Sequence, residues 1–294
     1  MTILLLTKQK PHAYERRRIE EEFRQHDLAY EVRNPKQFDI VLTEKIGNSV
    51  KFKGKDFPWP GLVLLRSTAG ENNFNLTLLR EFEQALVPTI NPPDAIERSR
   101  DKLRAGQLLA NHGLAIPKTM MFRFPVDYDI IETEIGYPCV VKVTTGSLGN
   151  GVYLCYTKRE FKKLIAMAVD FGNRQTLIVQ EYLGERIGED LRVIVIGGKV
   201  LGAMHRKSAK NDFRANIAKG GTGEPYPVSD EIDYISREAV KVLGLDIAGV
   251  DLLFDPAGFK VCEVNSNPGF SGFERYCNIN VAGAIANYVK FRTQ

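Results

Sequence analysis

Two apolar runs near the C-terminal end, Ile247 to Phe254 and Phe259 to Val264, flank the tetrapeptide Asp255-Pro256-Ala257-Gly258. Proline at its second position and glycine at its fourth fit a type I turn followed by a left-handed glycine, the three-residue hairpin loop with a bulge. That register pairs Asp255 with Phe259, and counting back sets Asp251 opposite Glu263. Side chains alternate along a strand, so Asn265 shares the face of Glu263. Two carboxylates and an amide oxygen then converge in strands that are otherwise apolar. Like charges so placed cost energy unless a cation lies between them, and an all-oxygen set suits Mg2+. A solvated hairpin face with ordinary acids would show the same letters. Gly269, Gly272 and the turn-rich stretch after Asn265 favour a site.

The rest of the chain alternates strands with helices. Ile3 to Leu6 reads as an apolar strand, Tyr14 to His26 as a helix, Phe38 to Leu42 as a second strand and Leu62 to Arg66 as a third. Phe74 to Leu86 is helical, and a short strand runs to Asn91 before Pro92-Pro93. This spacing implies βαβ units and a parallel sheet, ending near the two prolines. Beyond them Ser99 reads as an N-cap for a helix from Arg100 to Asn111. Tyr137 to Val143, Val152 to Tyr156 and Thr176 to Leu183 read as strands. Asp190 to Ile196 and Lys199 to His205 flank Gly197-Gly198, a two-residue hairpin signal. Ser229 caps a helix that runs through Val242, and a last helix begins near Val281. The stretch from Lys207 to Gly223 is polar, basic and glycine-rich, and reads as a loop.

Composition removes several function classes. The 294 residues include 40 Lys+Arg against 36 Asp+Glu, a net charge of +4, too mild for a nucleic-acid binder. Cys139, Cys155, Cys262 and Cys277 show no CxxC spacing, so reduced thiols are expected and a zinc site or disulfide framework is not. The scattered histidines form no HExxH pair. The N-terminal apolar run lacks a basic flank and a cleavage-like site, and no segment approaches the ~20 apolar residues of a membrane helix. A cytoplasmic protein without membrane contact is expected.

Other residues favour a nucleotide. Gly146-Ser147-Leu148-Gly149-Asn150-Gly151 joins strand to strand, whereas a P-loop or dinucleotide fingerprint joins strand to helix. Such a loop can fold as a flap whose bare N–H groups meet phosphates, though a plain glycine-rich hairpin looks the same. Lys142 lies within the apolar run Cys139-Val140-Val141-Lys142-Val143. It must reach solvent or meet an anion, because burying it unpaired is costly. Lys102 opens a helix, where acids are the usual choice, and so weakly suggests an anion nearby. Arg192, Arg206 and Arg214 lie on or beside the strands before the hairpin, and their forks match phosphate and carboxylate oxygens. Each alone reads as a surface residue. Together with the lysines, the glycine loop and the acidic trio they describe a pocket for a Mg-nucleotide.

Lys102 in DKLRAGQLL, Lys142 before GSLGNG, Gln180-Glu181-Tyr182, Asp190-Leu191-Arg192, FRANIAKGG, AGVDLL and EVNSNPG resemble the ATP-grasp fold, and within it the RimK-type carboxylate–amine (α-L-glutamate) ligases. The resemblance is dense from Asn91 to Tyr288 and looser before. FERYCNINVAG also looks family-like, and Ser266 departs from the alanine common among relatives. The resemblance implies an α/β (α+β) fold with three parts: a pre-ATP-grasp domain at 1–93, a central subdomain with the flap at 94–185, and a C-terminal subdomain with the metal site at 186–294. It implies that Lys102, Lys142, Gly146, Ser147, Gly149, Gly151, Glu181, Tyr182, Asp190, Arg214 and Asn216 bind ATP. Asp251, Glu263 and Asn265 would hold one or two Mg2+, with Mn2+ left open. Arg206 and Arg192 would serve the phosphoryl step, and Arg66 and Asn267 the substrate. The activity implied is ATP-dependent amide formation through an acylphosphate, joining an amino acid such as glutamate to a peptide or small-molecule carboxylate. A nucleotide-binding sensor or assembly module that keeps the pocket without turnover stays open, as does a homo-oligomer.

Overall fold

All four side chains of β1 (Ile3–Leu6) are buried, which is what an unbroken apolar run does when both faces of its sheet are covered. The computed structural model describes residues 1–42, 44, 49–67, 72–144, 151–170, 176–209, 213 and 220–294. After α1 (Tyr14–Gln25) come β2 (Tyr30–Arg33), β3 (Phe38–Ile40), β4 (Val50–Phe52), β5 (Lys55–Asp56), β6 (Leu62–Leu65), α2 (Asn72–Gln84) and β7 (Thr89–Ile90). A parallel sheet has the order β2-β1-β6-β7. Phe38–Ile40, expected in that sheet, instead pairs with β4 in a small antiparallel sheet. The second parallel strand is Tyr30–Arg33. It is a half-buried edge strand, so its charged letters gave no apolar run to read.

The helix expected from Ser99 is two helices, α3 (Pro93–Arg100) and α4 (Lys102–Asn111). Pro93 starts α3 at its first position, and the extended backbone of Asp101 ends it. Asp101 is the cap of α4 in place of Ser99: its carboxylate accepts the N–H groups of Leu103 and Arg104.

A second sheet follows. Its elements are β8 (Thr119–Met121), α5 (Tyr128–Glu134), β9 (Cys139–Val143), β10 (Val152–Cys155), α6 (Lys158–Asp170) and β11 (Leu177–Glu181). The strands are antiparallel in the order β10-β9-β11-β8. A third antiparallel sheet, β14-β13-β12-β15-β16, is built from β12 (Glu189–Ile196), β13 (Lys199–Lys207), β14 (Thr222–Tyr226), β15 (Ile247–Asp255) and β16 (Gly258–Asn265). Gly197 and Gly198 both take positive φ (57° and 74°), as the tight β12–β13 turn requires. α7 (Asp230–Leu243) precedes β15, with Ser229 accepting the Ile232 N–H as its cap. α8 (Ser271–Cys277) and α9 (Val281–Arg292) end the chain.

The two faces of the third sheet divide the core. Leu191, Val193 and Val195 pack with Ile232 and Ala239 of α7 and Leu109 of α4. Ile194 and Ile196 point the other way, among Phe273, Ile285, Val289 and, from the N-terminal part, Ile3 of β1 and Ile19 and Phe23 of α1. That second apolar face stops at Ile194. The next residues on it, Arg192 and Asp190, are polar, and there the site begins. Among the described residues no helix is long and apolar enough to cross a membrane. Cys139 and Cys155 are buried, Cys262 and Cys277 half-buried, and all four are free thiols.

Candidate active site

Asp251 lies directly across from Glu263, and Gly249 across from Asn265. The juxtaposition is the expected one, but the chain reaches it differently. The turn pairs Asp255 with Gly258 and Phe254 with Phe259, one step tighter than counted from the sequence. A bulge then leaves Cys262 unpaired and restores the register before Glu263.

β12 supplies the counter-charges. Arg192 pairs with Asp251 across one side of the strand, and Asp190 with Arg206 across the other. Arg192 grips Asp251 with two N–H groups, Nη2 at 2.8 Å from Oδ2 and Nε on Oδ1. Arg206 forks onto Asp190 at 2.7 and 2.6 Å and reaches Asp251 Oδ1 at 3.0 Å. All four side chains are largely buried. So the cations that neutralise the strand acids are partly the chain's own. Burial would raise the Asp251 carboxyl, but Arg192 and Arg206 outweigh it and hold it below its ordinary value. Burial dominates at Asp190 and pushes its carboxyl up to about 6, against the pull of Arg206.

A sign follows for metal-free protein. Between the ordinary aspartate value and about 6 the native state keeps a proton on Asp190 that the unfolded chain has released. This one group therefore makes stability fall as pH rises through that window, by about 1.4 kcal/mol per unit of displacement at most. Urea unfolding at stepped pH in EDTA should show that slope, and Asp190→Asn should remove it. An unchanged slope would relocate the proton.

Glu263 keeps 39% of its side chain exposed, and its Oε1 lies 3.5 Å from Lys102 Nζ. Asn265 Oδ1 accepts the N–H of Asn267 at 3.1 Å. Two carboxylates and an amide oxygen form a hard-oxygen donor set, which fits Mg2+. Among the described residues no group of three or more His, Cys, Asp or Glu could hold a metal, so the amide is needed to complete the trio.

Lys102 and Lys142 meet at a cavity of about 30 Å³ that Gln180, Cys262 and Glu263 also line. The Lys102 N–H donates to the Thr144 carbonyl at 3.1 Å, tying the start of α4 to the end of β9. Lys142 Nζ lies 3.7 Å from Cys262 Sγ. Gly151 takes φ +70°, and a Cβ there would sit 2.8 Å from Val143 Cγ2, so glycine is required where the loop rejoins β10. Gly146, Ser147, Gly149, Arg214 and Asn216 lie outside the described residues.

Glu181 is differently engaged than a base-binding residue would be. Its Oε1 accepts the Lys118 N–H at 2.8 Å and Lys260 Nζ at 2.7 Å, which ties β11 to β16. Tyr182 follows it, with a buried hydroxyl that has no hydrogen-bond partner among the described residues. Asp190 gives both oxygens to Arg206, just as Asp251 gives both of its own to Arg192 and one of them also to Arg206. Arg66 is 4% exposed, and its Nη2 donates to the Pro268 carbonyl at 2.8 Å. Asn267 Nδ2 donates to the Ser67 carbonyl at 2.7 Å. Two residues escaped the sequence reading. Lys260 sits in an apolar strand as Lys142 does, so the same argument would have found it. Asn91 carries no local signal; its partners lie 155 to 175 residues away.

The second and third antiparallel sheets both line that cavity, with Lys142 on one side, Glu263 on the other and Lys102 at the start of α4. The chain superposes on the ATP-grasp ligase PsnB complexed with minimal precursor at a TM-score of 0.75, with 24% identity, covering 99% of this chain and 98% of that one. A second structure of PsnB holds Mg and ADP. The profile of the RimK-like ATP-grasp domain matches residues 99–289, and that of the RimK pre-ATP-grasp domain residues 1–96. The chain belongs to the RimK-like ATP-grasp family. It is 36% identical over 278 residues to a probable alpha-L-glutamate ligase of Thioalkalivibrio sulfidiphilus (strain HL-EbGR7), covering 94% of this chain and 91% of that protein. Another of that name, from Shewanella amazonensis (strain ATCC BAA-1098 / SB2B), is 35% identical over 291 residues, covering 99% and 95%. The protein is an ATP-dependent ligase that joins a carboxylate to an amine.

Proposed function

We propose that this ligase adds an amino acid such as glutamate, through its α-amino group, to an acidic peptide or small-molecule carboxylate activated as an acylphosphate. The observation that carries the reading is the cavity lined together by Lys102, Lys142 and Glu263, with Asp251 directly across the strand pair from Glu263. The names of the relatives support glutamate as the amine.

An oxygen of the bound carboxylate attacks the γ-phosphorus of ATP, the bond to the β–γ bridging oxygen breaks, and ADP leaves. The amine then attacks the acyl carbon, phosphate departs with the acyl–oxygen bond, and the nitrogen loses its proton. Both partners of the first step are anionic, so the chain's task is to position them and offset charge. Lys102 and Lys142 do so at the phosphates; the family resemblance adds Gly146 to Gly151, Tyr182, Arg214 and Asn216 to the nucleotide-binding set. Arg206, held rigid by Asp190, stabilises the phosphoryl group in transfer, and Arg192 orients Asp251. Asp251, Glu263 and Asn265 would hold Mg2+, one ion or two and replaceable by Mn2+, and the ion would supply Lewis-acid charge neutralisation for the phosphoryl transfer. Arg66 and Asn267 fix the loop beside the reacting carboxylate.

Mass spectrometry of products from an amino-acid screen against acidic peptides and dicarboxylic acids tests this. Glutamyl additions that require ATP are expected. Incorporation of a different amino acid with glutamate inert would overturn the choice of amine.

A further inference from the structure

Asn91, the residue after β7, is 3% exposed. Its Oδ1 accepts the N–H groups of Asp246 and Ile247 at 2.6 and 2.7 Å. Its Nδ2 donates to the carbonyls of Ile247 and Ser266 at 2.8 and 2.7 Å. Four bonds fill the capacity of a side-chain amide. All four go to the ends of the β15–β16 hairpin, across the boundary between the N-terminal sheet and the third sheet.

The Ser266 carbonyl belongs to the same peptide unit as the Asn267 N–H. That N–H donates to Asn265 Oδ1 at 3.1 Å. Asn91 therefore grips one end of a peptide plane whose other end holds the Asn265 side chain. Because the unit is planar, fixing its carbonyl fixes the direction of its N–H. The next two residues are held from the same side, Asn267 by the Ser67 carbonyl and Pro268 by Arg66.

We propose that Asn91 is a positioning residue for the metal: through the Ser266–Asn267 peptide it sets where Asn265 Oδ1 points. This rests on the reading of Asp251, Glu263 and Asn265 as the Mg2+ ligands. The side chain must be an amide. Aspartate keeps the two acceptor bonds but turns oxygens toward two carbonyls, and leucine abandons four buried backbone groups. Outer partners of metal ligands change affinity about 10–100-fold when lost.

The test reads Mn2+ binding by electron paramagnetic resonance on full-length protein with a non-hydrolysable ATP analogue. Asn91→Asp is the narrower variant, because it retains the bonds from Asp246 and Ile247 and loses only the donations to the Ile247 and Ser266 carbonyls; Asn91→Ser removes both halves. Both should bind Mn2+ about 10–100-fold more weakly, with metal-free affinity for the analogue unchanged. Tyr288→Phe is the control. It deletes a hydrogen bond to Asp246 on the same anchor without touching the Ser266 peptide, so it should lower stability and leave Mn2+ affinity alone. Wild-type Mn2+ affinity in a folded Asn91 variant, while Glu263→Gln loses the ion, overturns the positioning role and spares the metal reading. Equal weakening in Tyr288→Phe also overturns it, by making the effect one of stability. Retention of Mn2+ by Glu263→Gln overturns the metal reading itself.

Discussion

Replacing Glu263 with glutamine is expected to lower turnover about 10²–10³-fold or more, the scale of a lost electrostatic group, and to leave stability almost untouched. The side chain is 39% exposed and its ion pair with Lys102 is long, at 3.5 Å. Pairs of that kind contribute about 0–1 kcal/mol. The strand also keeps its shape, because glutamine is nearly isosteric. Steady-state ADP release and urea unfolding on the same preparation separate the two effects. Stability that falls in step with turnover would make Glu263 a structural residue.

Asp251→Ala is expected to damage both. Arg192 and Arg206 would be left sharing Asp190 alone, in a cluster whose four side chains are largely buried. Removing one partner of a buried ion pair strands a charge and costs about 3–5 kcal/mol. Turnover should be lost as well, since the same carboxylate is a proposed metal ligand. Asp251→Asn keeps the hydrogen bonds to both arginines in part and should cost less in stability, yet turn over no better. A loss of stability below about 1 kcal/mol in Asp251→Ala would show that water, and not Asp251, balances the arginines.

The contrast between these acids shows what a sequence can reveal. Their opposition was legible from strand alternation and a hairpin turn. Their different environments were not, because the neutralising arginines come from two other strands, Arg192 from β12 and Arg206 from β13. Counting from Gly197-Gly198 would set Asp190 opposite His205, but a bulge between Ile194 and Val195 shifts the partner to Arg206. The Cys262 bulge is equally silent. Bulges add one residue with no compositional mark, so registers read outward from a turn degrade with distance. The core strands were readable because they are continuous apolar runs, whereas Tyr30–Arg33 was hidden by its edge position. The break between α3 and α4 turned on Asp101, a capping residue type that sits two residues from an equally plausible Ser99. Lys142 was legible by the cost of burying it, and Lys102 only weakly, by its place at a helix start. Asn91 was not, since its role exists only once two distant segments meet.

Trapping with hydroxylamine addresses the acylphosphate directly. The protein is mixed with MgATP and the carboxylate substrate found in the product screen, without any amino acid, and quenched within one turnover. On the proposed reading the charges of Lys102, Lys142, Asp251 and Glu263 serve the phosphoryl step, so ADP should appear in a burst no larger than the enzyme concentration. Hydroxylamine in the mixture should turn the burst into steady ADP release and yield the hydroxamate of the carboxylate. Supplying the amino acid should replace the hydroxamate with the amide. ADP release and hydroxamate that both require the amino acid would contradict a carboxylate activated before the amine attacks.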